Sequence, residues 1–150
     1  MSEPTPGWFE GHEHVLPVRI YYEDTDFTGM VYHANYLRYF ERGRSDYLRL
    51  VGVDHTTLLN RPDPAAFTLN RIEVDFRLPA RVDDALQVRT AWESVRGARA
   101  LIRQRIVRGG DLIADALVHA VVITPDGRPR RPPAALADAL KSRLTGPPAP

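Results

Sequence analysis

The sequence predicts an α+β domain in which one long helix packs against one antiparallel sheet. Residues 33–51 repeat apolar side chains at three- and four-residue spacing, which is the helical pattern. Residues 67–78 alternate apolar and polar side chains, as a half-buried strand does. Three further strand-like segments follow, separated by the hairpin signals Arg96-Gly97 and Gly109-Gly110-Asp111: 85–95, 99–108 and 112–124.

The composition is that of a single globular domain. The chain has 150 residues, of which 43% are apolar and 26% charged. A net charge of +1 argues against a dedicated nucleic-acid binder, and the lack of cysteine excludes disulfides and thiolate catalysis. No segment approaches the roughly 18 apolar residues of a membrane span. The opening MSEPTPGWFEGHEH has no signal-peptide pattern, so a cytoplasmic protein is expected.

The first fourteen residues are expected to form a flexible lead, because they are polar and interrupted by proline and glycine. His12 and His14 flank Glu13, and alternation in an extended chain would point both imidazoles the same way. Two ligands do not make a metal site, so a solvated tail is the preferred interpretation and no metal is predicted. The first strand is predicted at residues 15–22.

The long helix carries one glycine on its apolar side. Gly43 lacks a Cβ, which would let the helix approach a sheet closely, although it costs about 1 kcal/mol of helix propensity against alanine. The helix is expected to end at Gly52. The following residues, 54–66, contain prolines and polar side chains and predict a loop with one helical turn.

The predicted domain spans residues 15–125, followed by a tail, 126–150. The tail is rich in arginine and proline, with a short helix predicted from about Ala134 to Leu144. Five strands and one helix leave sheet edges uncovered, so the layout predicts oligomerisation.

The candidate catalytic residues lie between the first strand and the long helix. Glu23, Asp24 and Asp26 lie within four positions, just before the helix begins near His33. A carboxylate at a strand end would lie beside the unpaired N–H donors of a helix N-terminus. That arrangement suits carbonyl chemistry, in which the carboxylate attacks or activates water and the N–H groups bind the developing oxyanion.

The stretch YYEDTDFTGMVYHANYLRYFERGRSDYL resembles the signature of hotdog-fold acyl-CoA thioesterases. More narrowly, it is similar to the Tol-Pal system-associated subgroup of the 4-hydroxybenzoyl-CoA thioesterase family. The later VDFRLPARVDDALQVRT also fits, so that the similarity spans roughly residues 16–125. The resemblance implies a hotdog fold, a five-stranded antiparallel sheet wrapped around one long central helix.

The resemblance also implies a mechanism and an assembly. Asp26 matches the family's catalytic aspartate, and the backbone amide near His33 matches the group that polarises the thioester carbonyl. The His33 imidazole is a second candidate, either as a polar helper near the thioester or as a group that positions the loop. Two subunits would share an extended sheet with the active site at their interface, giving a homodimer or homotetramer. No metal or redox cofactor is implied, because coenzyme A belongs to the acyl-CoA substrate.

Several neighbouring residues have two interpretations. Gly29 permits a backbone shape or a close substrate approach that a Cβ would hinder. Tyr32 and Tyr36 would line an acyl pocket or, at helical spacing, belong to the core. Asn35 is a candidate N-cap. Glu41 is expected to pair with Arg44 or Arg38 and is left out of the catalytic set.

Other questions stay open at this stage. Arg128, Arg130 and Arg131 could hold the phosphates of coenzyme A, but an exposed basic tail is the preferred interpretation. The sequence does not distinguish a nucleophilic from a general-base role for Asp26. The alternatives to an acyl-CoA thioesterase are a thioesterase acting on acyl carrier protein, a hotdog dehydratase or hydratase, and a non-catalytic acyl-binding module.

Overall fold

The computed structural model describes residues 2–146 and shows one long helix packed against a six-stranded antiparallel sheet. Residue 1 and residues 147–150, at the ends of the predicted lead and tail, lie outside the described residues. The strands are β1 (Trp8–Glu10), β2 (Glu13–Arg19), β3 (Ala66–Phe76), β4 (Ala85–Arg96), β5 (Arg99–Arg108) and β6 (Asp111–Ile123). The helices are α1 (His33–Leu50), α2 (His55–Leu59) and α3 (Ala134–Lys141).

The sheet order is β1-β2-β4-β5-β6-β3. Two hairpins join β4, β5 and β6, while β2 pairs with β4 and β3 pairs with β6. The connection from β2 to β3 carries α1, which therefore lies across the sheet. This is the predicted hotdog layout of five main strands and a central helix, with β1 as a short additional edge strand.

The helix approaches the sheet closely at Gly43, as its position on the apolar side predicts. A Cβ built there would lie 2.8 Å from Val88 Cγ1 and 2.9 Å from Thr90 Oγ1. The surrounding core is aromatic, with Trp92 and Tyr47 fully buried. Glycine is therefore required by the packing between α1 and β4.

Two segments outside the predicted domain take part in the packing. Residues 8–14, assigned to a flexible lead, form β1 and the start of β2, and His14 is completely buried. The expectation of a solvated His14 is therefore wrong: burial lowers the pKa of its imidazole, whose Nε2 lies 2.7 Å from the Pro6 carbonyl oxygen. Near the other end, α3 contributes Leu136 and Leu140 to the main core.

None of the helices in residues 2–146 has the length and apolarity needed to cross a lipid bilayer.

Candidate active site

The acidic stretch forms a compact loop between β2 and α1, in which Asp26 begins a tight turn. The Asp26 N–H donates to the Met30 carbonyl at 3.0 Å, and the Gly29 N–H donates to the Asp26 carbonyl at 3.0 Å. Gly29 has a φ of +80°, a left-handed conformation that side-chain-bearing residues rarely adopt. A Cβ at Gly29 would meet nothing closer than Arg81 Nη1 at 3.9 Å. The turn therefore requires glycine for its backbone conformation.

Asp26 is exposed, and its carboxylate is held by one neighbouring residue. Asp26 Oδ1 accepts hydrogen bonds from the Thr28 N–H, at 2.8 Å, and from the Thr28 hydroxyl. These bonds, the hydroxyl first, lower the pKa of the Asp26 carboxyl group, and the charge of a protonated His33 lowers it further. Asp26 is consequently ionised at neutral pH, as a nucleophile or base must be.

Asp24 fastens the loop to the beginning of α1. Its side chain accepts a hydrogen bond from the Tyr21 N–H at 2.7 Å, which is the predicted turn role. Its carbonyl accepts from the Tyr32 N–H at 2.9 Å and from Asn35 Nδ2 at 2.8 Å. The N-cap prediction for Asn35 is wrong: Tyr32 is the N-cap, and Asn35 lies inside the first turn with its side chain directed to the loop.

The start of α1 presents two free N–H groups. His33 is the first residue of the helix, and Tyr32 supplies no side-chain cap. Within residues 2–146, the backbone N–H groups of His33 and Ala34 have no hydrogen-bond acceptor. Because the helix dipole adds positive potential at this end, these groups suit a developing oxyanion. The exposed His33 ring lies 4.7 Å from the Tyr32 ring and 6.1 Å from that of Phe76, measured between centroids.

A cavity of about 260 Å³ opens beside the helix start. Its wall comes from the tight turn, the first turn of α1 and the end of β3, and includes Met30, His33, Tyr36, Phe76, Leu78 and Pro79. Asp26 is not itself a wall residue, but its N–H group donates a hydrogen bond to the carbonyl of Met30, which is one.

The two candidate tyrosines differ in their surroundings. Tyr36 is 4% exposed, and its hydroxyl accepts a hydrogen bond from the Ala80 N–H at 3.1 Å. It is therefore both a core aromatic and part of the cavity wall, and burial raises the pKa of its phenol. Tyr32 is 46% exposed and does not line the cavity.

The sequence pattern did not single out Phe76 and Leu78 as site residues. They share the apolar face of the predicted strand, so the alternation indicated only a core position. In the structure Phe76 is 50% exposed and Leu78 45% exposed. Their position in the sequence could have indicated this. Both lie at the end of the predicted strand, just before the break at Pro79, where apolar side chains extend beyond the sheet.

The remaining candidates have structural partners. Glu41 forms the predicted ion pair with Arg44, at 2.8 Å. Arg130 donates to the Asp63 carbonyl at 2.9 Å. Arg128 lies 3.4 Å from the Asp126 carboxylate. The structure therefore does not gather the arginines after β6 into one phosphate site.

Comparison with known proteins identifies the chemistry that this scaffold supports elsewhere. The model of the thioesterase-like superfamily matches residues 21–143. The acyl-CoA thioesterase YbgC of Haemophilus influenzae is 41% identical over 108 residues, 72% of this chain and 79% of its own length. The acyl-CoA thioester hydrolase YbgC of Escherichia coli O6:H1 is 37% identical over 127 residues, 83% of this chain and 93% of its own length.

A solved structure shows the same architecture. The crystal structure of a "probable thioesterase" from Bartonella henselae superposes with a TM-score of 0.78 at 38% identity. The match covers 81% of this chain and 99% of the Bartonella chain.

Proposed function

The chain belongs to the thioesterase-like superfamily and is an acyl-CoA thioester hydrolase, and we propose that Asp26 and the N-terminus of α1 carry out the reaction. In this proposal Asp26 attacks the thioester or activates water, while the His33 N–H binds the carbonyl oxygen. Gly29 shapes the turn that presents Asp26, Tyr36 flanks the acyl group from the cavity wall, and Tyr32 packs against the His33 ring.

One observation carries the assignment of these residues. His33, whose N–H group is unpaired at the helix start, lines the cavity together with Met30, and the ionised Asp26 lies in the turn closed by its hydrogen bond to the Met30 carbonyl. A thioester needs a nucleophile or base on one side of its carbonyl and donors toward its oxygen. No other carboxylate of the loop combines these features, since Asp24 accepts the Tyr21 N–H and, within residues 2–146, no hydrogen bond orients the Glu23 side chain as Thr28 orients that of Asp26.

Two routes lead to the same products. In the first, an Asp26 oxygen bonds to the carbonyl carbon and the C–S bond breaks, giving a mixed anhydride and coenzyme A thiolate. Water then hydrolyses the anhydride and regenerates the carboxylate. In the second, Asp26 removes a proton from water as the water oxygen attacks, and the proton passes to the departing thiolate. In both routes the His33 N–H stabilises the oxyanion.

The decisive experiment measures free-thiol release from butyryl-CoA, decanoyl-CoA and benzoyl-CoA, comparing the wild type with Asp26→Asn. We expect the variant to lose on the order of a hundredfold or more in kcat, because the amide is neither an adequate nucleophile nor a base. Its unfolding temperature is expected to be unchanged, since Asp26 is exposed.

Glu23→Gln is the matched control, because Glu23 is an exposed carboxylate of the same loop without an ion pair in residues 2–146. It should retain wild-type turnover. Activity of Asp26→Asn equal to that of Glu23→Gln would remove Asp26 from the mechanism.

We further propose that the enzyme assembles as a homodimer or homotetramer. The apolar wall residues Phe76 and Leu78 are half exposed, and the edge of the sheet at β3 has no strand partner within residues 2–146, so a single copy leaves the cavity open. Sedimentation equilibrium of the full chain measures the assembly directly, and a monomer at micromolar concentration would contradict it.

A further inference from the structure

The segment that joins β3 to β4, residues 79–84, lies against the proposed catalytic loop, and we call it the brace. Its second residue, Ala80, is completely buried. The Ala80 carbonyl accepts a hydrogen bond from the Val31 N–H at 2.9 Å, and the Ala80 N–H donates to the Tyr36 hydroxyl at 3.1 Å. One residue of the brace therefore contacts both the end of the loop and the first turn of α1.

The next residue of the brace extends this contact to the turn itself. Arg81 forms an isolated antiparallel bridge with Met30. The Met30 carbonyl is the group that accepts the Asp26 N–H at 3.0 Å. The turn that presents Asp26 is thus attached, through two neighbouring residues, to a segment that is distant in sequence.

One carboxylate fixes the shape of the brace. Asp84 Oδ2 accepts a hydrogen bond from the Arg81 N–H at 2.9 Å and another from Arg108 Nη1 at 2.8 Å. The same Arg108 nitrogen donates to the Pro79 carbonyl at 3.1 Å, so it joins the first and last residues of the brace. The Arg81 N–H, ahead of Arg108, lowers the pKa of the Asp84 carboxyl group, which is therefore ionised at neutral pH.

The brace also contains an unusual backbone conformation. Asp83 has a φ of +71° and is the single non-glycine residue with a positive φ in residues 2–146. Its N–H donates to the Ile20 carbonyl at 2.8 Å, and its carbonyl accepts from Arg19 Nη1 at 2.8 Å. Such conformations persist where the surrounding contacts impose them. The contacts of Asp83 with the end of β2 therefore help to keep the brace in one shape.

We propose that Asp84 and Arg108 are positioning residues for thioester hydrolysis. Their ion pair holds the brace in the conformation that places Ala80 against both the loop and α1. The position of Asp26 relative to the helix N-terminus is thereby fixed before the substrate binds. Neither Asp84 nor Arg108 lines the active-site cavity, so their effect on the reaction passes through the brace. The inference rests on the proposed catalytic role of Asp26.

Precise placement is what the proposed reaction requires of this part of the chain. The carboxylate and the helix N–H group must approach one thioester carbonyl from different sides, and an error of about 1 Å in such a geometry costs on the order of a hundredfold in rate. The turn around Asp26 is exposed, and exposed segments with few buried contacts open readily. The buried contacts of Ala80 supply the rigidity that the turn lacks.

The first test measures butyryl-CoA hydrolysis by Asp84→Ala, which removes the acceptor of the Arg81 N–H and the partner of Arg108. We expect kcat to fall roughly ten- to a hundredfold, while KM changes by less than about threefold, because the groups that touch the substrate remain. Asp84→Asn keeps the side-chain size and an acceptor for the Arg81 N–H, so it tests the ion pair even if Asp84→Ala does not fold. Its kcat should fall by about three- to tenfold.

Glu13→Ala is the matched control. The Glu13 side chain is 26% exposed, as is that of Asp84, and it also binds two arginines, Arg89 at 2.8 Å and Arg105 at 3.1 Å. These partners belong to β4 and β5 and not to the catalytic loop. Glu13→Ala should lower the unfolding temperature about as much as Asp84→Ala does and keep the wild-type kcat. Equal losses of kcat in the two variants would overturn the proposal.

Arg108→Ala tests whether the ion pair acts as a unit. Residues that share one interaction have non-additive effects. We therefore expect the double variant of Asp84→Ala and Arg108→Ala to be slower than Asp84→Ala by no more than about threefold. If the two losses in kcat multiplied, the residues would act independently, and the ion pair would not be the positioning element.

Hydrogen exchange separates this inference from the proposed function, because it requires no activity. The segment 26–32 contains the N–H groups of Asp26, Gly29 and Val31, which are hydrogen-bonded in the turn or to the brace. By mass spectrometry of peptides from this segment, we expect exchange at least about tenfold faster in Asp84→Ala and at the wild-type rate in Glu13→Ala.

Each outcome has a defined meaning. Unchanged exchange in Asp84→Ala would overturn the brace, even if kcat were lower. Faster exchange with a wild-type kcat would show that the loop opens without affecting the reaction, and Asp84 and Arg108 would not be positioning residues. Wild-type activity of Asp26→Asn would instead overturn the proposed function and leave the exchange result in place.

Discussion

The loop that carries Asp26 and the crossing of α1 over the sheet differ in how far apart in sequence their hydrogen-bonded residues lie. In the loop, the hydrogen bonds that close the Asp26 turn join residues two to four positions apart, and Asn35 reaches Asp24, eleven positions away. One backbone bond, from the Val31 N–H to the Ala80 carbonyl at 2.9 Å, ties the end of the loop to a distant segment. At the crossing, Arg44 Nη1 donates to Gln104 Oε1 across sixty positions, at 2.9 Å. The loop is exposed and the crossing is buried. The proposed catalytic groups therefore lie on a segment shaped mainly by local contacts, while stability depends on the distant contacts.

The polar side chains at the crossing of α1 over the sheet should tolerate few substitutions. Gln104 Nε2 donates to the Phe40 carbonyl and to Thr90 Oγ1, both at 2.8 Å. Arg44 completes the group from the helix, and its side chain is 10% exposed. Buried polar groups with all their partners specify one packing arrangement, and removing one partner leaves the others unsatisfied. The loop carries no comparable burial, so changes there should alter turnover without altering stability.

The largest expected effect follows from removing one backbone donor at the helix start. His33→Pro eliminates the N–H group, and the helix tolerates proline at its first position. Tyr32 already has a ψ of 127°, which the residue before proline favours. We expect kcat to fall about 10²–10³-fold, the usual effect of losing an oxyanion donor. Far-UV circular dichroism and the unfolding temperature should stay near wild type.

His33→Ala is the companion variant, because it removes the imidazole and keeps the N–H group. Steady-state thiol release should show a much smaller loss than in His33→Pro. Equal losses in the two variants would mean that the His33 imidazole, and not its N–H group, supports the reaction. Asp26 would then be the only proposed catalytic group on which the contrast between the loop and the crossing is based.

The second prediction concerns the crossing itself. Gly43→Ala places a Cβ within 3 Å of Val88 and Thr90, and overpacking of this kind costs about 1–3 kcal/mol. Alanine regains about 1 kcal/mol of helix propensity. We expect a net loss of up to about 2 kcal/mol in the free energy of unfolding, measured by urea denaturation.

Gly110→Ala is the matched control for this prediction. Nothing lies within 4 Å of a Cβ at Gly110, and the backbone there does not have a positive φ. The substitution should be neutral or stabilise the protein by up to about 1 kcal/mol. If Gly43→Ala were as stable as Gly110→Ala, the close approach would not limit the packing of α1.

Features that depend on nearby residues were the ones that the sequence could predict. The helix predicted at 33–51 is His33–Leu50, and the strand predicted at 67–78 is Ala66–Phe76. The position of Gly43 on the apolar side correctly predicted its close approach to the sheet. The turn around Gly29 was recognisable because glycine marks a left-handed residue wherever the chain reverses.

Individual contacts with residues distant in sequence were mostly not predicted. His14 looked solvated because its neighbours in sequence are polar, whereas its burial follows from the aromatic core supplied by α1, where Tyr47 lies 6.0 Å away between ring centroids. Phe76 resembled any inward-facing strand residue, and its place in the cavity wall depends on His33, more than forty positions earlier. Such contacts have no periodic or local signature, so only the folded chain reveals them.

The smallest expected effect tests whether the local hydrogen bonds of the loop tune the chemistry. Thr28→Val removes the hydroxyl that contributes most to lowering the pKa of Asp26, and it keeps the Thr28 N–H donor. The proposed mechanism requires ionised Asp26, so activity is expected to fall as the pH drops through this pKa. The variant raises the pKa, so the acidic limb of kcat/KM should move to higher pH, while the rate above neutrality stays near wild type.

Thr25→Val removes the same group from the same loop, but within residues 2–146 the Thr25 hydroxyl bonds only the Tyr22 carbonyl, so its profile should match the wild type. An acidic limb that Thr28→Val leaves in place would mean that another group governs the titration, and that the loop positions Asp26 without tuning it.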